Sequence, residues 1–357
     1  MSILDKPLVD RPQRSRRPFV IAALVLLLLI IFVAVTGPGN DVGFVTHFAS
    51  APAHFTYTGH SNYVSSVAWS PDGKRIASAS GDGTVQVWNA SNGGDVLTYR
   101  GHTSDVLAVA WSPDGKEIAS GSLDTTVQVW NASTGKTLLT YRGHSDAVFS
   151  VAWSPDGTKI ASTGNDGTVQ VWDAVTGKTL LNYSVRYAKG APLAWNSVAW
   201  SPDGKAIAIG GNGPVALLAA TTGKVLNYYG SMGGVVHDVA FSPNGQYLAI
   251  GNSQDSVQVW NVATVKNVYT NSDNSADVYA VAWSPDGKRI ASGSGDGLVQ
   301  VWDALTGNHL YTYRGHADFY PGHFTQNASV NAVAWSPDGK YLASGSSDDT
   351  VQVWQAG

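Results

Sequence analysis

The sequence has no cysteine and a single glutamate, Glu117, in 357 residues. Without cysteine there is no disulfide framework, thiolate zinc or iron–sulfur site, cysteine nucleophile or lipid-bearing N-terminal cysteine. Glutamate is a good helix former, whereas aspartate and glycine are turn residues. One Glu beside 25 Asp and 39 Gly therefore points to an all-β chain dense in tight turns. Net basic charge is missing too: 22 Lys and Arg against 26 acidic residues give −4, so nothing in the overall charge calls for nucleic acid. The length suits one large domain or two ordinary ones, with a substantial core.

Hydropathy is uneven. Phe19 to Val35 reads FVIAALVLLLLIIFVAV, 17 uninterrupted apolar residues. That is the short end of what a tilted helix needs to cross a bilayer core of roughly 30 Å, and Pro18 and Thr36 can extend it. Lys6, Arg11, Arg14, Arg16 and Arg17 precede the run, and no Lys or Arg follows it until Lys74. The positive-inside rule then predicts a basic cytoplasmic tail over 1–17, a transmembrane signal-anchor helix over 18–36, a linker over 37–51 and a domain over 52–357 outside the membrane. The expected location is the cell membrane, single-pass, N-terminus cytoplasmic. Two other readings stay open: cleavage at Ala49-Ser50-Ala51, which lies 14 residues past Val35, and twin-arginine export through Arg16-Arg17.

The rest of the chain repeats itself. Ser-Pro-Asp/Asn-Gly begins at Ser70, Ser112, Ser154, Ser201, Ser242, Ser284 and Ser336, with spacings of 42, 42, 47, 41, 42 and 52. Val-Gln-Val-Trp ends at Trp88, Trp130, Trp172, Trp260, Trp302 and Trp354, and Val215-Ala216-Leu217-Leu218 stands in the missing place. Short apolar alternations separated by Pro-Asp-Gly and Asp-Gly turns predict brief antiparallel strands. Gly-His, then an Asp in a turn, then Trp-Asp or Trp-Asn, at a period near 42, resembles the WD-repeat family, whose repeats form four-stranded blades of a β-propeller. The resemblance covers roughly 52–357 and implies seven blades. The last lacks its outer strand at the C-terminus, and Phe55-Thr56-Tyr57, which matches Leu139-Thr140-Tyr141, is expected to supply it and close the ring.

The resemblance also implies a hydrogen-bonded tetrad within each blade. Complete sets are His60, Ser78, Asp82, Trp88; His102, Ser120, Asp124, Trp130; His144, Ser162, Asp166, Trp172; and His316, Ser344, Asp348, Trp354. A Ser-His-Asp grouping invites a hydrolase reading, but four ring-related copies point to scaffold. Repeat 6 has Asn274 for His, repeat 5 has Ile250 and Gln254, and repeat 4 has Ile209, Asn212 and Leu218. The intact repeats 7, 1, 2 and 3 thus form one arc and the degenerate repeats the other.

Extra residues precede repeats 4 and 7, in loops rich in aromatics. Tyr187 and Trp195 in one, and Phe319, Tyr320, His323 and Phe324 in the other, are candidate partner-binding residues. So are His237 and Tyr279, at a position that varies among repeats: Ser65, Leu107, Phe149, Asn196, His237, Tyr279, Asn331. Drift at a solvent-facing site and loops that only cover imperfect blades are the plain alternatives. Sequons at Asn89, Asn131, Asn182 and Asn327 read as by-products of the repeat. The Asp-Gly turns lack the several acidic ligands of a calcium loop.

The expected function is a non-catalytic, membrane-anchored extracytoplasmic interaction scaffold that binds a protein or envelope ligand on one propeller face, with no cofactor or metal. The alternative is a propeller enzyme, hydrolase or glycosidase-like, at the central channel, with His237-Asp238 as the pair to test. Glycosidases need two carboxylates, and no Gly-x-Ser-x-Gly elbow is present. Asp173 to Lys178 suggests a quinone-cofactor propeller, but the same turn belongs to WD repeats.

Overall fold

A computed structural model describes residues 54–184, 194–230, 234–316 and 329–356. The expected tail, anchor and linker over 1–51 lie outside the described residues. Within them every regular element is a strand: 28 strands, in seven antiparallel sheets of four. Six sheets follow chain order. In the seventh, Phe55–Tyr57 pairs with Val351–Gln355, so the first strand closes the last blade.

Each repeat builds its blade from the same local chemistry. The inner strand, such as Val64–Trp69, runs into Ser-Pro-Asp-Gly. There Ser70 Oγ donates to Asp72 Oδ1 at 2.6 Å and accepts the Arg75 N–H at 2.9 Å, while Gly73 sits at φ +70°. The left-handed backbone and the side-chain acceptor explain why this string recurs. The turn after the third strand is held by Asp173 Oδ1, which accepts the Thr176 N–H at 2.8 Å. Asn131 Oδ1 does the same for Thr134 at 2.9 Å, so the Trp-Asn sequons are turn caps in the repeat. These two turns share one end of every blade, tied by bonds such as Ala132 N–H to Lys116 O at 2.9 Å. We call it the turn end. The connections between blades share the other, the loop end, where Gly81 N–H reaches Tyr63 O at 3.0 Å.

Blades pack face to face through apolar clusters, each drawn from two neighbours. Val85, Val87 and Tyr99, for example, meet Ile118 and Trp130 of the next blade. The inner-strand tryptophans stitch the seams: Trp111 Nε1 donates to Ala68 O at 3.1 Å, and Trp69, Trp153, Trp200, Trp283 and Trp335 do likewise. Blade 5 has Phe241 there, so the 4–5 seam has no such bond.

Charge divides between the two ends. Among the described residues, those nearer the loop end include twelve Asp and only three basic residues, Arg100, Arg142 and Arg314. Those nearer the turn end include twelve Lys and Arg against ten acidic residues. All described lysines stand at the turn end.

Candidate functional site

The four complete tetrads assemble. His60 Nδ1 lies 2.8 Å from Asp82 Oδ2, His60 Nε2 lies 2.8 Å from Ser78 Oγ, and Trp88 Nε1 donates to that oxygen at 3.2 Å. His102, His144 and His316 make the same contacts at 2.7–2.9 Å. A carboxylate facing Nδ1 requires the proton there, so in the neutral ring Nε2 accepts from the serine hydroxyl. Burial pushes the Asp166 carboxyl up, but hydrogen bonds from His144 and Thr168 outweigh it and hold it at about 2. The serines are fully buried and engaged by tryptophan, so no substrate can reach them.

The tetrad is part of a larger unit that sequence reasoning missed. The outer-strand tyrosine of the preceding blade stacks on the tetrad tryptophan, with centroids 4.4 Å apart at Tyr57–Trp88, Tyr99–Trp130, Tyr141–Trp172 and Tyr313–Trp354. Its hydroxyl donates to the glutamine of Val-Gln-Val-Trp, as in Tyr141 to Gln170 at 2.6 Å. That glutamine's Nε2 donates to the carbonyl of the Gly in Gly-His, Gln170 to Gly143 at 3.0 Å. A Cβ on Gly143 would lie 2.3 Å from both Gln170 Oε1 and the Tyr141 hydroxyl. The recurring Gln and the Tyr two residues before Gly were the available signals.

Degenerate blades fail as units. In blade 6 Asn271 replaces Tyr, Asp273 replaces Gly and Asn274 replaces His together. A short side chain at 271 removes the hydroxyl that excludes a Cβ at 273. Among the described residues the buried Asn274 amide and Gln300 Oε1 have no hydrogen-bond partner. In blade 5 Ile250 takes the serine's place, and Trp260 Nε1 turns to Gln258 Oε1 at 3.0 Å.

Of the candidate partner residues, Tyr187, Phe319, Tyr320, His323 and Phe324 lie outside the described residues. Trp195 corrects an expectation: it is 3% exposed. It opens its inner strand at the place of Val64, packs in the seam between blades 3 and 4, and donates Nε1–H to Gly167 O at 3.2 Å. His237 and Tyr279 stand half-buried on adjacent blades, with ring centroids 5.0 Å apart. His237 Nε2 lies 3.3 Å from Asp277 Oδ2. Burial lowers its pKa against the opposing pull of Asp277.

The variable position has a structural reason. In all seven inner strands the pairing register skips that residue, so each of Ser65, Leu107, Phe149, Asn196, His237, Tyr279 and Asn331 is a β-bulge without a cross-strand partner. A bulge relaxes pairing constraints and re-aims the side chain. Three of these residues use the freedom to reach a backbone carbonyl of the next blade, Ser65 to Val106 O at 2.6 Å, Asn196 to Val236 O at 3.0 Å and Asn331 to Val64 O at 2.9 Å, and His237 reaches the Asp277 side chain there. His237 and Asp238 are not a working pair. Asp238 accepts from Ser197 Oγ at 2.7 Å and from the Val239 and Val281 N–H groups at 2.9 Å, while His237 serves Asp277. The Asp238 side chain is half-buried, and its desolvation raises the carboxyl to about 6 against those hydrogen bonds.

Comparison with known families agrees with this architecture. Residues 63–230 match the family described as "WDR90, 4th beta-propeller". Residues 223–261, 265–303 and 307–355 match "WD domain, G-beta repeat". Seven four-stranded blades, a ring closed by its first strand, His-Ser-Asp-Trp units in blades 1, 2, 3 and 7, and family matches running from residue 63 to 355 establish that the chain belongs to the WD-repeat β-propeller family.

Proposed function

We propose that this protein is a membrane-anchored, extracytoplasmic, non-catalytic scaffold that holds a protein or envelope ligand on the loop end of its propeller. WD-repeat propellers generally act as platforms for protein interaction. The observation that carries the choice of face is its charge: twelve Asp against three Arg among the described residues of that end. Its low positive charge favours a ligand with cationic groups, because complementary potentials steer encounter and reject like-charged partners. His237 and Tyr279, on bulges that free them from pairing, offer aromatic contact area beside Asp277. The anchor reading rests on Phe19–Val35 and the five basic residues before it.

The test uses affinity capture from envelope extract. Replacing Phe319–Phe324 by Gly-Ser, or combining H237A with Y279A, should abolish capture of the partner that the unaltered protein retains. Capture unchanged by both would reject this face. Alkaline extraction of membranes tests the anchor separately: release of the full chain would reject it. The enzyme alternative needs a free acid–base pair at the channel, and the described Asp238 is fully engaged by hydroxyl and amide donors.

A further inference from the structure

The outer strands carry an unexplained repetition. In blades 2 to 6 the pairing between third and outer strands skips one residue, and that bulged residue is aliphatic every time: Leu138, Leu180, Leu226, Val268 and Leu310. Their exposures are 49%, 47%, 46%, 41% and 52%. In blades 2, 3, 5 and 6 the following residue packs inward, as Leu139, Leu181, Tyr269 and Tyr311 do, so the fold does not need the bulged side chain to be apolar. Bulges do protect sheet edges from pairing with other chains, but a polar residue would serve that end as well.

In blades 2 to 5 a lysine stands two residues before the bulge: Lys136, Lys178, Lys224 and Lys266. All four are exposed, and no described carboxylate lies within 4.0 Å of any of them. The turn-end lysines Lys116, Lys159, Lys205 and Lys340, by contrast, each pair with the Asp of their own turn at 3.0–3.8 Å. The result is an arc over four consecutive blades in which an ammonium without a described carboxylate partner stands two residues from an exposed aliphatic side chain.

We propose that this Lys-x-aliphatic arc is a docking edge for an anionic lipid bilayer surface. Lysine stems can lie along the interface with their ammonium groups at lipid phosphates, while the bulged aliphatic groups enter the headgroup boundary. Two further observations select a bilayer. The first strand, Phe55–Tyr57, enters the propeller from the turn end of blade 7. The opposite end of the disc, with its excess of Asp, would be repelled by an anionic membrane. The inference deepens the scaffold reading and takes from it the nearness of a membrane: a disc docked by its turn end presents its loop end outward.

The experiment uses residues 50–357, which contain all seven sheets and their clusters and form one compact unit. The probe is phosphatidylcholine vesicles with or without phosphatidylglycerol, at low and high salt. Sedimentation with the anionic vesicles at low salt is expected, and K136E/K178E/K224E/K266E should reduce it at least tenfold, since one lysine near such a surface is worth about fivefold. R100E/R142E, at the loop end, should leave it unchanged. Because the chain has no cysteine, an environment-sensitive dye on L180C reports the contact directly. It should brighten on anionic vesicles, while the same dye on N165C should not. Absence of binding, equal binding to neutral vesicles, a silent dye at 180 or full binding by the four-lysine variant would overturn the proposal. A full chain that resists alkaline extraction while its propeller ignores vesicles would overturn this inference and leave the anchor standing.

Discussion

Ser197 Oγ donates to Asp238 Oδ1 at 2.7 Å across the seam between blades 4 and 5, and the other carboxylate oxygen takes the Val281 N–H of blade 6. One acidic side chain thus ties three blades where the tryptophan stitch is missing. Its pKa, raised to about 6 by burial, means that the folded state favours the protonated form. The stability it lends is fully present below the unfolded value near 3.8 and is lost as pH rises through 6. D238N removes this dependence. Relative to the variant, the unaltered protein should lose on the order of 2–3 kcal/mol between pH 4 and 7, measured by urea unfolding at each pH. A constant difference across that range would reject the buried-carboxylate account.

The tetrad aspartates act with the opposite sign. Asp166, held at about 2 by His144 and Thr168 despite its burial, lends stability above the unfolded value near 3.8 that is lost as pH falls toward 2. D166N should flatten the acid limb of the stability profile in that window. An unchanged limb would show that Asp166 carries none of it.

Removing the hydroxyl at the centre of a tetrad leaves two buried polar groups, the His144 Nε2 and the Trp172 N–H, without their partner. S162A is expected to cost about 1–3 kcal/mol. I250S, at the same place in blade 5, should not be stabilising, because no histidine is there to receive the hydroxyl. Chemical denaturation of both variants checks the pair, and a neutral S162A would reject a stabilising role for the unit.

Gly143 is fixed by its neighbours. G143A places a Cβ 2.3 Å from the Tyr141 hydroxyl and should destabilise by about 1–3 kcal/mol through overpacking. Adding Y141A takes away both that hydroxyl and the ring Cζ, 2.4 Å from the same Cβ, so the two losses should sum to more than the double variant shows in a double-mutant cycle. Additive effects would mean that the two sites do not interact.

Blade 6 can be rebuilt only as a set. N271Y/D273G/N274H restores the stacking ring, the space and the imidazole that can reach Ser292 and Asp296, and should raise stability by about 1–3 kcal/mol. N274H alone should give less, since residue 271 still lacks the tyrosine that engages Gln300. A single variant as stable as the triple would contradict the coupling.

Much of this was legible in the sequence because repetition removes ambiguity. Seven copies of Ser-Pro-Asp/Asn-Gly fixed the blade count, and the match of Phe55-Thr56-Tyr57 to an outer strand located the closure. The tetrads could be placed by counting within each repeat. What failed was exposure. Trp195 reads as the end of an aromatic loop, yet it begins a strand, and only packing against blade 3 makes it buried. His237-Asp238 reads as a pair because the residues are adjacent, and the cross-blade partners Asp277 and Ser197, 40 and 41 residues away, separate their roles.

The amino-acid sequence by itself determined the all-β class, the seven blades and the turn chemistry, because those depend on contacts within a repeat of about 42 residues. The tertiary structure decided what depends on neighbours. Bulges free one residue in each inner strand and expose one aliphatic in five outer strands. Tyrosines join the tetrads across seams through the glutamine of the tetrad's own blade, and the charges separate onto opposite ends of the disc. A linear pattern can repeat a residue type, but which atoms it meets is set by the blade beside it.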